Sequence, residues 1–339
     1  MQLPINTGDI LRHIYHGIYV NQQGLSTAGY SLAELNPSNS WIAWSTVQYN
    51  YPVITLLFFS CIVKISPTLF FTKLVLTLIE AINSWLIYRL TRQHILALIY
   101  WMSPISIWWA SHEGQFEPLQ NFFVICALLL LSRKKYGAFF LLALGIQVKV
   151  TAILLLPFFI VSCQYCQIKN WARAAVFFTL GFFPSFFAMY YYQAIQQVFP
   201  KTWILAYNPY YWNIFNPSIF RWNRRWLVIC NQVASYGMLL LLSVLIIRWK
   251  KIKYLLAPAL FIILCKLSTV AQFWYFMVFM PFLLPVRNKR VRIWLFALTP
   301  LLDVSSLVQI LSGPIGHTVG NYYQGIDCFT PLIIGKPGF

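Results

Sequence analysis

The sequence predicts an all-α polytopic membrane protein of about ten transmembrane helices or half-helices, with juxtamembrane helices on the outer side. Three observations predict it. Apolar residues make up 59% of the 339 and charged residues only 9%, against roughly 25% charged in soluble domains. Those apolar residues fall in long runs, at about 67–90, 94–110, 117–132, 136–149, 150–166, 171–192, 226–248, 253–267, 269–286 and 292–312. The basic residues cluster between alternate runs: Arg89 and Arg92; Arg133, Lys134 and Lys135; Lys169 and Arg173; Arg248, Lys250, Lys251 and Lys253; Arg287, Lys289, Arg290 and Arg292. When the runs alternate across a bilayer these clusters share one side, which the positive-inside bias makes cytoplasmic.

The same bias explains the net charge of +18. No basic patch is interleaved with stacking aromatics outside the apolar runs, so a nucleic-acid partner is not expected. Seven cysteines give no disulfide framework, because most lie in or beside apolar runs, and the CxxC of Cys163 and Cys166 has no second pair for a structural metal.

In chain order, residues 1–66 form an outer first loop, 67–312 the transmembrane helical domain and 313–339 an outer tail. The first 48 residues are polar and aromatic, with no charged start and apolar core of a signal peptide. The apolar part of residues 49–64 is too short for a span of about 20 residues and reads as a juxtamembrane or re-entrant helix. An outer N-terminus without a signal predicts a further helix upstream; the alternative is that residues 49–64 cross. Residues 136–166 as one helix would be about 46 Å long, well beyond the roughly 30 Å hydrocarbon core. A break near Lys149 follows, beside Gly145 and the β-branched Val148, Val150 and Thr151. Such a break is tolerated where it is buried in protein or lines a watery cavity.

Charge is scarce, so its placement carries information. An ionisable group at membrane depth marks a functional site by default. His112, Glu113, Gln115 and Glu117 form a polar cluster between two apolar runs, and Lys149 lies alone in a later one. Lys149 reads as a cation for an anionic group or as a snorkelling helix-end lysine. Lys266 and Gln272 flank a predicted outer turn, with Trp274 and Tyr275 just after. Glu80 and Asp303 lie within spans and read as interhelical hydrogen-bond partners or as functional carboxylates. Arg221, Arg224 and Arg225 stand among tryptophans in a predicted outer loop, as a headgroup site or an interfacial belt would require.

Nucleophile elbows, Walker loops, zinc-helix motifs and dinucleotide fingerprints are absent from the sequence. What remains is a set of outward-facing carboxylates, Asp9 above all, with imidazoles and a few cations. One carboxylate that deprotonates an acceptor hydroxyl, with cations neutralising a lipid-phosphate leaving group, would suffice for sugar transfer. Asp9 also reads as a cap of the helix starting in TGDILRHIY.

The order GDILRHIYHGIYV, YNYPV, SP before SHEGQFEPL, and QVKVTAILLLP, covering Gly8 to Pro157, resembles the GT-C glycosyltransferases that use polyprenyl-phosphate sugars. The nearest likeness is to the mannosyltransferases of GPI-anchor assembly and their bacterial relatives, with weaker agreement at AQFWYFMVFMP. That resemblance implies a GT-C-like fold and an inverting transfer in which an acidic residue of the first outer loop, here Asp9, is general base. Many relatives carry two acids in that loop, whereas the next here is Glu34; Glu117 stands where relatives often have aspartate. Relatives also begin with a span before the catalytic loop.

The expectation is a hexosyltransferase, moving mannose from a polyprenyl-phosphate carrier to a lipid-linked or surface glycan acceptor on the extracytoplasmic face. Asp9 takes the acceptor proton; Arg12, Lys149 and Lys266 hold the donor phosphate; His112, Glu113, Gln115, Glu117, Tyr51, Gln272 and Tyr275 bind sugar or acceptor. No cofactor and no metal is expected, since no carboxylates stand at ligand spacing. The absence of an Asn-x-Ser/Thr sequon fits a bacterial inner membrane, with the endoplasmic reticulum as the eukaryotic equivalent. The rival readings are a secondary transporter or lipid flippase using Glu80, Lys149 and Asp303, and a non-catalytic scaffold of enzyme descent.

Overall fold

A computed structural model describes residues 8–192, apart from 40, 41, 43, 44, 46–48, 50, 105, 113 and 163–167, together with residues 275–302. The predicted spans at 226–248 and 253–267, Lys266, Gln272, Asp303, the arginines at 221, 224 and 225, the Cys163–Cys166 pair and the C-terminal tail lie outside the described residues. Among the described residues the secondary structure is helical and contains no strand.

The helices are α1 (Gly8–Gln23), α2 (Leu32–Leu35), α3 (Val53–Ile65), α4 (Leu69–Thr91), α5 (His94–Trp101), α6 (Glu117–Ser132), α7 (Gly137–Val148), α8 (Leu156–Ser162), α9 (Ile168–Gly181), α10 (Phe183–Tyr192), α11 (Tyr275–Leu283) and α12 (Lys289–Leu302). A π-helical segment, Ser106–His112, follows α5, and a 3-10 turn, Val150–Leu155, joins α7 to α8.

Helix α4 is the long one. Thr68 caps its start by accepting from Phe71 N–H at 3.3 Å, and Arg92 ends it in the left-handed region at φ 57°. Its 23 residues extend about 35 Å at 1.5 Å per residue, so it is long and apolar enough to cross a membrane. One side of it is apolar and open, and the other buries polar residues beside Leu76, Leu86 and Ile87. Phe70 (77% exposed), Leu74, Leu78 (55%), Ile82 and Trp85 line the open side, while Thr72, Glu80 and Asn83 are buried. The spacing of four, four, four and three puts the exposed residues on one stripe.

Antiparallel packing of α6 on α7 forms the centre. A tight turn through Arg133, Lys134 (φ 55°) and Lys135 joins them. The start of α6 and the end of α7 therefore meet at the far end of the hairpin from those three cations. The core around this hairpin includes Ile87, Tyr100, Val124, Leu128, Leu142, Ile146, Phe159 and Phe282. A second core joins Ile10 and Ile14 of α1, Phe59 of α3, Leu76 of α4, and Phe116, Leu119 and Val148. The segment before α4 thus shares its core with the helices that follow. Helix α1 crosses α3 closely: a Cβ on Gly17 would lie 3.0 Å from the Phe59 backbone.

The chain breaks near Lys149, as the length argument requires. Helix α7 stops at Val148, and Lys149 is extended at φ −153° and ψ 126°. The freed Val148 carbonyl accepts from Thr55 Oγ1 at 2.9 Å, which satisfies an end group that a helix terminus leaves orphaned.

Two expected runs are also broken. Residues 94–110 divide into α5 and the π-helical segment, separated at Ser103 and Pro104. Proline disfavours the helical region for the residue before it. Residues 171–192 divide at Phe182 between α9 and α10. There the Gln147 amide donates to Gly181 O and accepts from Ser185 N–H at 3.2 Å and Ser185 Oγ at 2.5 Å. One side chain on α7 therefore supplies the donor that Gly181 O lost at the break, while Ser185 N–H also keeps a backbone bond to Phe182 O at 3.0 Å.

Close approach fixes glycine beside that joint. A Cβ on Gly181 would lie 2.5 Å from Ala143 Cβ and 2.7 Å from Phe140 O. Gly181→Ala is expected to push α9 off α7 and to cost about 1–3 kcal/mol, the usual range for overpacking. Thermal unfolding of the purified full chain in detergent checks this. At Gly137 a Cβ meets only the end of the Leu130 side chain at 3.3 Å, so Gly137→Ala is the control expected to leave the midpoint nearly unchanged.

Candidate functional site

The site begins with an ion pair that the hairpin assembles. Glu117 is the first residue of α6 and Lys149 directly follows α7. The antiparallel packing brings Lys149 Nζ onto Glu117 Oε1. Both are buried, at 0% exposure for Glu117 and 3% for Lys149. The two helix dipoles add to the pair, since an N-terminus favours an anion and a C-terminus a cation. Lys149 Nζ also lies 5.6 Å from the centre of the Phe116 ring.

Phe116 leads to the second part. His13 of α1 contacts four rings: Phe59 stacked at 4.7 Å, Phe116 edge-on at 5.0 Å, Tyr51 at 5.0 Å and Tyr49 at 5.5 Å. Its Nδ1 is 3.0 Å from the Tyr49 hydroxyl. His16, one turn on, meets Tyr49 edge-on at 4.8 Å, and the Arg12 guanidinium stands 6.0 Å from the same ring. Arg12, His13 and His16 are all buried. Helical register explains the grouping, because residues three and four apart share a face.

Burial, and then the Arg12 charge, push the His16 imidazole down to about 3. Burial first, then Arg12, His16 and Lys149, holds His13 well below its usual range. Both imidazoles are therefore neutral at pH 7. Each then has one N–H donor and one acceptor nitrogen. Neither nitrogen of His16, nor Nε2 of His13, has a hydrogen-bond partner among the described residues.

A loop pinned by α1 closes the cluster. Gly114 has φ 75°, a backbone conformation that favours glycine, and the end of the Ile10 side chain packs where a Cβ would lie. Gln115 beyond it is buried.

A separate polar network lies between α4, α5 and α6. Glu80 of α4 accepts from the Tyr100 hydroxyl, from Asn83 Nδ2 at 3.1 Å and from Ser106 Oγ at 3.0 Å. Asn83 also donates to Pro118 O at 2.9 Å, while Asn121 donates to the Tyr100 hydroxyl at 3.0 Å and to Met277 O at 3.1 Å. This network ties α4, α5, α6 and α11 together. Pro118 meets α4 at Asn83, about 21 Å along that helix at 1.5 Å per residue, so the start of α6 is well inside the length of α4.

The expected site residues divide accordingly. Arg12, Tyr51, Gln115, Glu117 and Lys149 belong to one region built from α1, the 49–52 segment, the loop before α6 and the break after α7. Lys149 and Glu117, expected to hold phosphate and sugar separately, are each other's partner. Asp9 is the second residue of α1, His112 the last of the π-helical segment and Tyr275 the first of α11; their side chains, with Glu113, Lys266 and Gln272, lie outside the described residues. Glu80 takes the interhelical hydrogen-bond role. The sequence reading did not select His13, His16 or Tyr49. The signal present was the HIYH spacing, which sets two imidazoles one turn apart beside Ile10 and Ile14. Among the described residues no three histidine, cysteine or carboxylate side chains converge as a metal cage requires.

Fold and site together define an all-helical protein, within the described residues, that carries one helix able to cross a membrane and encloses an aromatic-walled polar cluster. Comparison with protein families, curated proteins and solved structures finds no match to this chain.

Proposed function

We propose that the chain is a multi-pass membrane glycosyltransferase of GT-C-like fold, with about ten spans or half-spans. It moves a hexose, mannose in the first instance, from a polyprenyl-phosphate carrier to a lipid-linked or surface glycan acceptor at the extracytoplasmic face. The observation that carries this reading is the buried cluster of Arg12, His13, His16, Glu117 and Lys149 beside a broken helix. Polar groups at that depth are costly and are retained where they handle a polar ligand.

The multi-pass reading is supported by apolar exposure beyond α4. Leu98 on α5, Phe177 and Leu180 on α9, Phe183 and Phe187 on α10, and Trp294 on α12 are exposed, as side chains that face lipid would be. The hairpin supports the proposed side. Glu117 and Lys149 lie at the opposite end from Arg133, Lys134 and Lys135, which the positive-inside bias assigns to the cytoplasm. The resemblance to the polyprenyl-phosphate-dependent enzymes supplies the donor class.

In this mechanism the Asp9 carboxylate accepts the proton of an acceptor hydroxyl while that oxygen attacks the anomeric carbon from the face opposite the phosphate. The bond from that carbon to the phosphate oxygen breaks, its electron pair passes to the phosphate, and polyprenyl phosphate leaves with the anomeric configuration inverted. Arg12 and the Lys149–Glu117 pair set the field at the leaving group, where charge develops in the transition state. Tyr51 and Gln115 face the sugar.

Transfer of radiolabelled sugar from a panel of polyprenyl-phosphate sugars, in membranes containing the chain, tests this reading. Asp9→Asn is expected to lower transfer by about 10²–10⁴-fold, the range for loss of a general base, with expression and folding unchanged. Undiminished transfer by the variant would sink the role of Asp9, and no transfer from any donor by the folded protein would sink the enzyme.

A further inference from the structure

The chain between α5 and α6 is strapped to α4 at three points. Thr77 Oγ1 and Ser111 Oγ are hydrogen-bonded at 3.1 Å, Ser106 Oγ donates to Glu80 Oε1 at 3.0 Å, and Asn83 Nδ2 donates to Pro118 O at 2.9 Å. Thr77, Glu80 and Asn83 stand three apart and follow one i±3n ridge of the helix. Their partners, in that order, are residues 111, 106 and 118. The π-helical segment Ser106–His112 therefore runs antiparallel to α4, and the chain turns back after it to enter α6.

The π register is what lets both serines reach α4. Ser106 and Ser111 stand five apart in the chain, which is about 140° around an α-helix at 3.6 residues per turn, so an α-helix would aim one of them away. A π-helix repeats its hydrogen bonds from i to i+5, and residues five apart come back to nearly the same face. Such segments are rare and recur at functional sites. Here the segment stands immediately before the residues that wall the polar cluster.

Of the three bonds, the one between Thr77 and Ser111 separates position from stability. Both side chains are half-buried and lie outside the buried network of Glu80 and Asn83. Thr77 Oγ1 also bonds Lys73 O of its own helix at 2.8 Å, so removing Ser111 strands nothing there. It is the last of these bonds before the chain turns back, and Gln115, Phe116 and Glu117 follow in that return. Phe116 passes the geometry on: its ring meets His13 edge-on at 5.0 Å and stands 5.6 Å from Lys149 Nζ.

We propose that Thr77 and Ser111 are positioning residues of the candidate site: their bond holds the π-helical segment on α4 and so sets Gln115 and Phe116 in the return to α6. Their part in sugar binding rests on the glycosyltransferase reading, whereas the strap itself does not.

The test reads position and activity separately. In the full chain carrying ¹³C at the histidine Cε1 and purified in detergent, the ring current of Phe116 acts on the His13 signal, which His13→Gln assigns by removing it. Thr77→Val and Ser111→Ala are each expected to move that signal, and Thr77→Ser, which keeps the hydroxyl, to return it to the wild-type position. In transfer from a polyprenyl-phosphate sugar, the same two variants are expected to raise the KM for the donor by about 3–10-fold, the value of one hydrogen bond. Their kcat should hold, because Gln115 is read as a contact to the bound sugar and not to the breaking bond. Thr77→Ser is expected to restore KM; a KM effect that it does not restore belongs to packing and overturns the role. An unmoved His13 signal in both variants overturns the strap, whether or not the chain is an enzyme. A moved signal with unchanged KM overturns the positioning role and leaves the enzyme. No transfer from any donor by the wild-type chain sinks the enzyme reading, and the His13 signal then decides the strap alone.

Discussion

Glu117→Ala is expected to destabilise the protein by about 3–5 kcal/mol, the range for breaking a buried pair by removing one partner. The cause is what remains: Lys149, 3% exposed, keeps its charge cost and loses the carboxylate that offsets it. The Gln120–Thr151 hydrogen bond at 2.9 Å and the packing of Leu119 with Val148 remain to hold the start of α6 to the end of α7, so the loss is local to the charge. Lys149→Ala strands the carboxylate in the same way. The pair Glu117→Leu with Lys149→Met should recover most of the loss, because replacing both charges by apolar side chains of similar size is often neutral or stabilising. Unfolding midpoints of the three variants in detergent, taken as a double-mutant cycle, check this. If Glu117→Ala costs under about 1 kcal/mol, the pair is not the buried ion pair described. Transfer by the double variant answers a second question: recovered stability without activity places the pair in the chemistry as well as in the fold.

A second large effect is expected at Glu80. Its carboxylate accepts from Tyr100, Asn83 and Ser106. Glu80→Ala strands three buried donors at about 1–3 kcal/mol each, and the loss spreads through Asn121 to α11 by way of Met277 O. Glu80→Gln should cost far less. Its carbonyl still accepts from Tyr100 and Asn83, and its amide nitrogen can donate to the Ser106 hydroxyl, which is able to accept. The difference between the two variants separates a structural carboxylate from a coupling-ion site. A transporter that cycles protons or cations through Glu80 would lose activity in both, whereas a hydrogen-bonding hub keeps its function with glutamine. The measurements are the unfolding midpoint and whichever activity the chain is found to have.

Some of this architecture was legible in the sequence, for reasons of length and charge. Leu69–Thr91 was expected as a span at 67–90 because a long apolar run ends at Arg89 and Arg92. The break at Lys149 followed from a run too long for one crossing. The breaks inside 94–110 and 171–192 were not legible as helix ends. Apolar composition is the same in a continuous helix and a broken one, and the second joint is held by Gln147, a residue more than thirty positions upstream. Arg12, Tyr51, Gln115, Glu117 and Lys149, singled out for polarity, charge or the family resemblance, do lie in one region of the fold; that this region binds a ligand is the proposal. The pairing within it was not legible. Glu117 and Lys149 were given separate ligands, and only the antiparallel turn at Arg133–Lys135 shows that they meet. His13 and His16 were passed over because an imidazole among aromatics in a polar loop reads as solvated until packing buries it.

The sequence by itself therefore determined the helical class, the long apolar helix and the scarcity of charge, because these follow from composition and from how far a residue extends a helix. The tertiary structure alone decided which face of α4 carries Glu80 and Asn83 inward, which charges neutralise one another, and which ring nitrogens are buried with no partner among the described residues. Those outcomes depend on residues far apart in the chain sharing one low-dielectric volume, and no local pattern records which distant residues will share it.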